Sequence, residues 1–305
     1  MTRGELMSLA YSPRPELRAA AYQELYRVYG QDGPILGQMY QTIVRDWRNE
    51  QVDLRGFATP ISARNLVNDI PDPVVDTLLK VAARNTGIFQ RYFQLKARWL
   101  GVERLRRYDI YAPVAEAGKE YSFTESAATV LDSFQQFDPR LAELAERVFA
   151  EDHLDSEVRR GKRGGAFCAS VGPRMTPWVL TNYQGKASDM ATLAHELGHG
   201  VHQVLAAGQG EMLSQTPLTL AETASVFGEM LTFRKMLDGA KDQAERKVLL
   251  AGKVEDMINT VVRQIAFYDF ECKLHAARRG GELTPDDINA LWMSVQAESL
   301  GDAFE

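Results

Sequence analysis

Cysteine, basic charge and long apolar runs are all scarce in this sequence. Only two cysteines, Cys168 and Cys272, occur in 305 residues, so there is neither a disulfide framework nor a CxxC pair. No apolar run approaches the ~18 residues of a membrane span. Residues 1–12 hold one Arg and no apolar core of a secretory leader. Thirty-five Lys and Arg stand against 41 Asp and Glu, a net charge of −6, which lacks the basic footprint of a nucleic-acid binder or a polybasic membrane-surface protein. Internal repeats and low-complexity linkers are also missing. What remains is 45% hydrophobic and 25% charged, a composition that supports one large domain or two smaller ones. The expectation is a soluble, cytoplasmic-type protein with no nucleic-acid or membrane partner.

Helical periodicity dominates. Apolar spacing and good helix formers predict helices over 15–29, 35–55, 72–101, 124–137, 139–151, 188–206, 218–237, 243–279 and 285–300. Asp72 before Pro73 reads as an N-cap with proline at the first helical position, and Thr124 as the N-cap of its helix. Residues 165–168 and 178–181 are strand-like, bounded by Gly- and Pro-containing loops. The fold class is therefore mainly α with a small β-sheet. A helical N-terminal part, 1–154, is followed by 155–305, in which the strands precede two long helices.

Three of the five histidines fall within eight residues, and His195-Glu196-Leu197-Gly198-His199 fits HExxH. Chance would supply on the order of 0.006 such matches in a chain with this histidine content. Residues i and i+4 lie about 40° apart round a helix and ~6 Å along it, so both imidazoles can converge on one zinc ion. Glu196 sits about 100° round from His195, beside the metal, where its carboxylate can take a proton from zinc-activated water. Catalytic zinc generally has three protein ligands and one open position.

The third ligand is sought downstream. The HExxHxxGxxH spacing requires Gly at 202 and His at 205, where this chain has His202 and Leu205. A carboxylate is left, as in gluzincins. Glu222 and Glu229 share one face of the next helix, after a reversal through residues 208–217. One can ligate while the other accepts a hydrogen bond from a ligand imidazole, and Glu222 is preferred as the ligand. His202 as a fourth ligand would close the open position, so it reads as a structural histidine beneath the site.

Residues 194–203 (AHELGHGVHQ) and 221–229 (AETASVFGE), with 164–168 (GGAFC), 177–185 (PWVLTNYQG) and 108–113 (YDIYAP), resemble the thimet-oligopeptidase and oligoendopeptidase F family of zinc metallopeptidases. Oligoendopeptidase F is the nearer of the two. The resemblance implies a helical, bowl-shaped fold whose small sheet lies beside the HExxH helix, and cleavage of short, unstructured oligopeptides. It implies one zinc per chain held by His195, His199 and Glu222, with Glu196 as general base. It also implies that Gly165, Ala166, Phe167 and Cys168 lie along the substrate backbone as an added strand. Family members are longer and continue into a segment whose His and Tyr side chains stabilise the oxyanion. By that measure the chain resembles an internal fragment or a truncated homologue, one continuous peptidase fold lacking its C-terminal segment.

After Glu229 only Tyr268 and His275 offer side chains of those types, and packing with a polar tip at a channel wall is the preferred reading over an oxyanion role. Cys168 reads as a small buried hydrophobe. Besides an oligopeptidase, two readings stay open: a zinc-binding but catalytically incomplete fragment, and a helical binding module with structural zinc.

Overall fold

The protein is described by a computed structural model covering residues 3–114 and 119–305. In chain order the helices are α1 (Arg3–Ser8), α2 (Pro15–Gln31), α3 (Gly33–Arg48), α4 (Ser62–Val67), α5 (Asp72–Leu100), α6 (Phe123–Phe137) and α7 (Pro139–Ala150). Strands β1 (Leu154–Asp155), β2 (Phe167–Ala169) and β3 (Trp178–Leu180) follow. Then come α8 (Ala187–Ala206), α9 (Leu218–Asp238), α10 (Gln243–Ile258), α11 (Gln264–Ala277) and α12 (Pro285–Leu300). This is the mainly α fold with a small sheet that the sequence implies. Among the described residues no helix is long and apolar enough to cross a membrane.

Several boundaries differ from the sequence expectation for local reasons. Ser122, not Thr124, caps α6, because its hydroxyl accepts the Glu125 N–H at 3.1 Å. Asp72 is the first residue of α5 rather than its cap; Pro71 holds the extended cap position, and the Asp72 carboxylate accepts from Asn65 at 2.7 Å. The helix predicted over 35–55 is α-helical to Arg48 and then closes in a π-helical turn, Asn49–Leu54. The predicted 243–279 helix is likewise interrupted by a π-helical stretch, Asn259–Arg263. β1 has no periodicity to announce it, being only two residues long.

The chain gathers into two compact units, one of Met1–Glu116 with Val254–Glu305, the other Ala117–Lys253. This grouping follows contacts rather than the change of element type at residue 154. The first unit has two apolar cores, one around Phe93, Ala97, Leu105, Ile258 and Phe304, the other around Val44, Phe270, Leu274 and Val295. Two ion pairs are sunk into it, Arg18 with Asp109 at 2.7 Å and Lys96 with Glu255 at 2.6 Å. The Lys96 ammonium also donates to the Ile110 carbonyl, and Asp109 accepts the Arg106 N–H. The YDIYAP segment is thus a knot of buried polar contacts.

The second unit packs α6, α7, α8 and the sheet around Val130, Phe134, Ala145, Val148, Val179, Met190, Leu193 and Leu197. The sheet order is β1–β3–β2. β1 runs parallel to β3 and β2 antiparallel, with Cys168 opposite Val179. Lys162 pins this sheet: its buried ammonium donates to the carbonyls of Asp155, Glu157 and Thr181 at 2.9, 2.8 and 2.6 Å. Both β2 and β3 touch α8, and β2 is an edge strand. It begins two residues later than the sequence suggests, because Gly165 turns with φ +81°. Phe134 is fully buried at the meeting of α6 with α9. Phe134→Ala is expected to cost about 3–5 kcal/mol in chemical denaturation of the whole chain.

Candidate metal centre

The site grows from two glycines. A Cβ on Gly198 of α8 would lie 2.7 Å from the Ala224 carbonyl and 2.8 Å from the Ser225 Cα of α9. A Cβ on Gly228 would lie 2.8 Å from the Ala194 carbonyl and 2.9 Å from the Phe134 ring. Pairing 198 with 224–225 and 228 with 194 makes the helices antiparallel. Their backbones meet where a methyl group has no room. At this separation side chains of α8 and α9 share one small volume.

Three side chains do so. His195 Nε2 and His199 Nε2 are 3.1 Å apart, with ring planes 84° to one another. Glu222 Oε2 lies 3.2 Å from the first and 3.5 Å from the second. Tetrahedral zinc with ligands at about 2.0–2.1 Å requires donor–donor edges of about 3.3–3.4 Å. The triangle His195–His199–Glu222 has that size, and its donors, two imidazole nitrogens and a carboxylate oxygen, suit zinc. Among the described residues these three are the group able to hold a metal ion.

Supporting contacts orient each donor. Glu229 Oε1 accepts from His195 Nδ1 at 2.6 Å, and Glu229 Oε2 accepts from the Lys253 ammonium of α10 at 2.7 Å. With Nδ1 donating, Nε2 keeps its lone pair for the shared volume. His199 hydrogen-bonds the backbone of Ala221. The Ser225 hydroxyl donates to Glu222 Oε2 at 2.8 Å. At the start of α8, Asp189 accepts the N–H groups of Gln184 and Lys186 at 2.8 and 2.9 Å.

The electrostatics follow from burial and these partners. Glu196 is only 6% exposed. Burial pushes its carboxyl up to about 7, against the pull of His195 and with further lift from Glu222 and Glu229. A carboxyl poised there can both take and return a proton. Burial holds His199 below the usual imidazole range, and His195 adds to that. At His195 burial opposes the charge, but the hydrogen-bonded Glu229 carboxylate outweighs it and raises the group. Glu229 itself is held low: burial works against it, and the His195 and Lys253 hydrogen bonds win.

Of the remaining candidates, Cys168 on β2 lies under α8, its sulfur 3.8 Å from where a Gly200 Cβ would be. Burial drives its thiol up to about 12, with Glu196 contributing. Gly165 and Ala166 precede the strand, and Phe167 and Cys168 belong to it. His202 lines a cavity of about 150 Å³ with His199, Gln203, Ser170 and Thr216. Tyr268 and His275 belong to the other unit, where they line a cavity of about 420 Å³ with Trp47, Arg64 and Cys272. Sequence reasoning missed Gly198, Gly228, Ser225 and Lys253. The glycines had a signal, since each interrupts a helical pattern without ending it; Lys253 had none.

Gly198→Ala is expected to lower stability by about 1–3 kcal/mol, because the helices must separate. Gly200→Ala is the control: its Cβ meets only ordinary contacts at 3.8 Å, so helix propensity should leave it neutral or stabilised by up to about 1 kcal/mol. Denaturant midpoints of the two variants decide it; equal losses would dismiss the close approach as a constraint.

A model of peptidase family M3 matches residues 8–305. The chain is 30% identical over 304 residues to the chromosomal oligoendopeptidase F of Lactococcus lactis subsp. cremoris, covering 99% of this chain and 50% of that one. It is 26% identical over 308 residues to oligopeptidase PepF of Bacillus subtilis (strain 168), covering 100% and 46%. The crystal structure of oligoendopeptidase-F from Enterococcus faecium superposes with a TM-score of 0.69 at 24% identity, over 100% of this chain and 48% of the other. The chain spans about half the length of the curated relatives it matches.

Proposed function

The chain belongs to peptidase family M3, and from that premise we propose that it is a zinc-dependent endopeptidase that hydrolyses short, unstructured oligopeptides. The observation that carries this is the donor triangle of His195, His199 and Glu222, sized for one zinc ion and flanked by a buried carboxyl. These three side chains would hold the metal. Zinc there would supply Lewis acidity to polarise a peptide carbonyl and acidify water.

The chain's own residues then do the following. Glu196, one residue beyond His195 and poised near neutrality, accepts the proton of the attacking water on its carboxylate. The same carboxyl, now protonated, passes that proton to the leaving amine. Glu229 keeps the His195 ring turned so that Nε2 faces the metal. The free edge of β2, with Phe167 and Cys168, pairs with the backbone of an extended peptide after the Gly165–Ala166 turn. Such pairing reads main chain rather than side chains, and it admits unfolded segments only.

The span of about half a relative favours one second reading, a centre that binds zinc but needs further residues to stabilise the oxyanion. Losing one such donor costs about 10²–10³ in rate. Quenched-fluorescent peptide libraries and metal analysis of the purified chain separate the two: zinc without cleavage selects the second.

Glu196→Gln is expected to abolish turnover while zinc stays near one equivalent per chain. Undiminished turnover in that variant would remove Glu196 from the chemistry. His199→Ala is expected to lose bound zinc, read by elemental analysis after dialysis; a full equivalent retained would refute its role as ligand.

A further inference from the structure

We propose that Lys253 is a positioning residue for the centre, acting through Glu229 on the orientation of His195. The proposal rests on reading the centre as a zinc site, and it adds a member from a third helix.

The geometry is a straight relay. Lys253 Nζ, near the end of α10, donates to Glu229 Oε2 at 2.7 Å; Glu229 Oε1 accepts from His195 Nδ1 at 2.6 Å; His195 Nε2 faces Glu222 Oε2 at 3.2 Å. The relay is sheltered, with the Lys253 and Glu229 side chains 12% and 17% exposed. The terminal torsion of a glutamate is broad. One hydrogen bond at one oxygen leaves the carboxylate free to swing about that contact. Donors on both oxygens fix the plane, and the plane fixes where the imidazole points. Charge asks for the same arrangement, because a sheltered carboxylate with a single neutral donor is poorly compensated, and the ammonium supplies the charged partner.

Glu222 and Glu229 stand two turns apart on α9, so the two carboxylates bracket His195. Glu222 meets Nε2 and Glu229 meets Nδ1. The imidazole is therefore held at Nδ1 by Glu229 with Nε2 left facing the Glu222 carboxylate, and Lys253 fastens that hold from α10. Glu229 alone would be a hydrogen-bond acceptor; with Lys253 it becomes a fixed one.

The test uses the whole chain and variants Lys253→Met, Lys253→Gln and Lys253→Arg. Zinc affinity is measured by competition with a chromophoric chelator. The hydrogen-bonded Nδ1 proton of His195 is followed by NMR in the zinc-free protein, and assigned by its disappearance in His195→Gln. Lys253→Met is expected to bind zinc about 10–100-fold more weakly and to shift or broaden the Nδ1 resonance. Lys253→Arg should restore most of both, and Lys253→Gln, which keeps a neutral donor, should fall between. Zinc-free melting curves control for general damage; if Lys253→Met does not fold, the Gln and Arg pair carries the comparison. Unchanged zinc affinity and an unchanged Nδ1 signal in a folded Met or Gln variant would overturn the proposal while leaving the metal site standing. A wild-type chain that binds no zinc would instead overturn the metal reading.

Discussion

Everything at this centre depends on how closely two helices approach. HExxH on α8 supplies two imidazoles, and Glu222 of α9 meets them where the helix backbones come nearly into contact. Gly198 and Gly228 make this possible by omission, each facing a backbone carbonyl of the other helix. Hydrophobic packing closes the seam from outside: Leu193, Leu197 and Met190 are fully buried on α8, and Phe134 of α6 presses against Gly228. Binding-site geometry and core packing are here one constraint rather than two.

Around that seam, charge is arranged so that each group faces a compensating one. His195 lies between two carboxylates and Glu229 between an imidazole and an ammonium, while at Glu196 burial outweighs the pull of His195 and lifts the carboxyl to about 7. Three acids within one small region thus acquire different characters from their surroundings: Glu222 is exposed and hydrogen-bonded by Ser225, Glu229 is sheltered and tied down by His195 and Lys253, and Glu196 is buried. A cation bridging α8 and α9 would be linked to the seam as well, since it would stabilise whatever packing brings the helices together.

How legible this was in the sequence varied with the range of the interaction. The convergence of His195 and His199 is a matter of helical pitch, so spacing alone announced it. Glu222 joins their group because an acid at that separation, after a reversal containing Gly208, Gly210 and Pro217, lands on an antiparallel neighbour. Helix extents followed periodicity well, whereas caps did not: Ser122 and Thr124 are equally good candidates until the Glu125 N–H chooses one. Lys96 illustrates the harder case, since a lysine in a long helix reads as solvated, yet it is fully buried against Glu255 and the Ile110 carbonyl. Lys253 is of the same kind. Its partner lies on another helix, and no local pattern marks it.

The thiol beneath α8 has a chemical consequence of its own. With its ionisation pushed up to about 12, only about one Cys168 side chain in 10⁵ is a thiolate at neutral pH. Nucleophilic attack on peroxides or disulfides proceeds through that anion, so the sulfur beneath the HExxH helix is kept almost inert. The burial that lifts the Glu196 carboxyl to about 7 has the opposite effect on the reactivity of the cysteine, holding it in its protonated form.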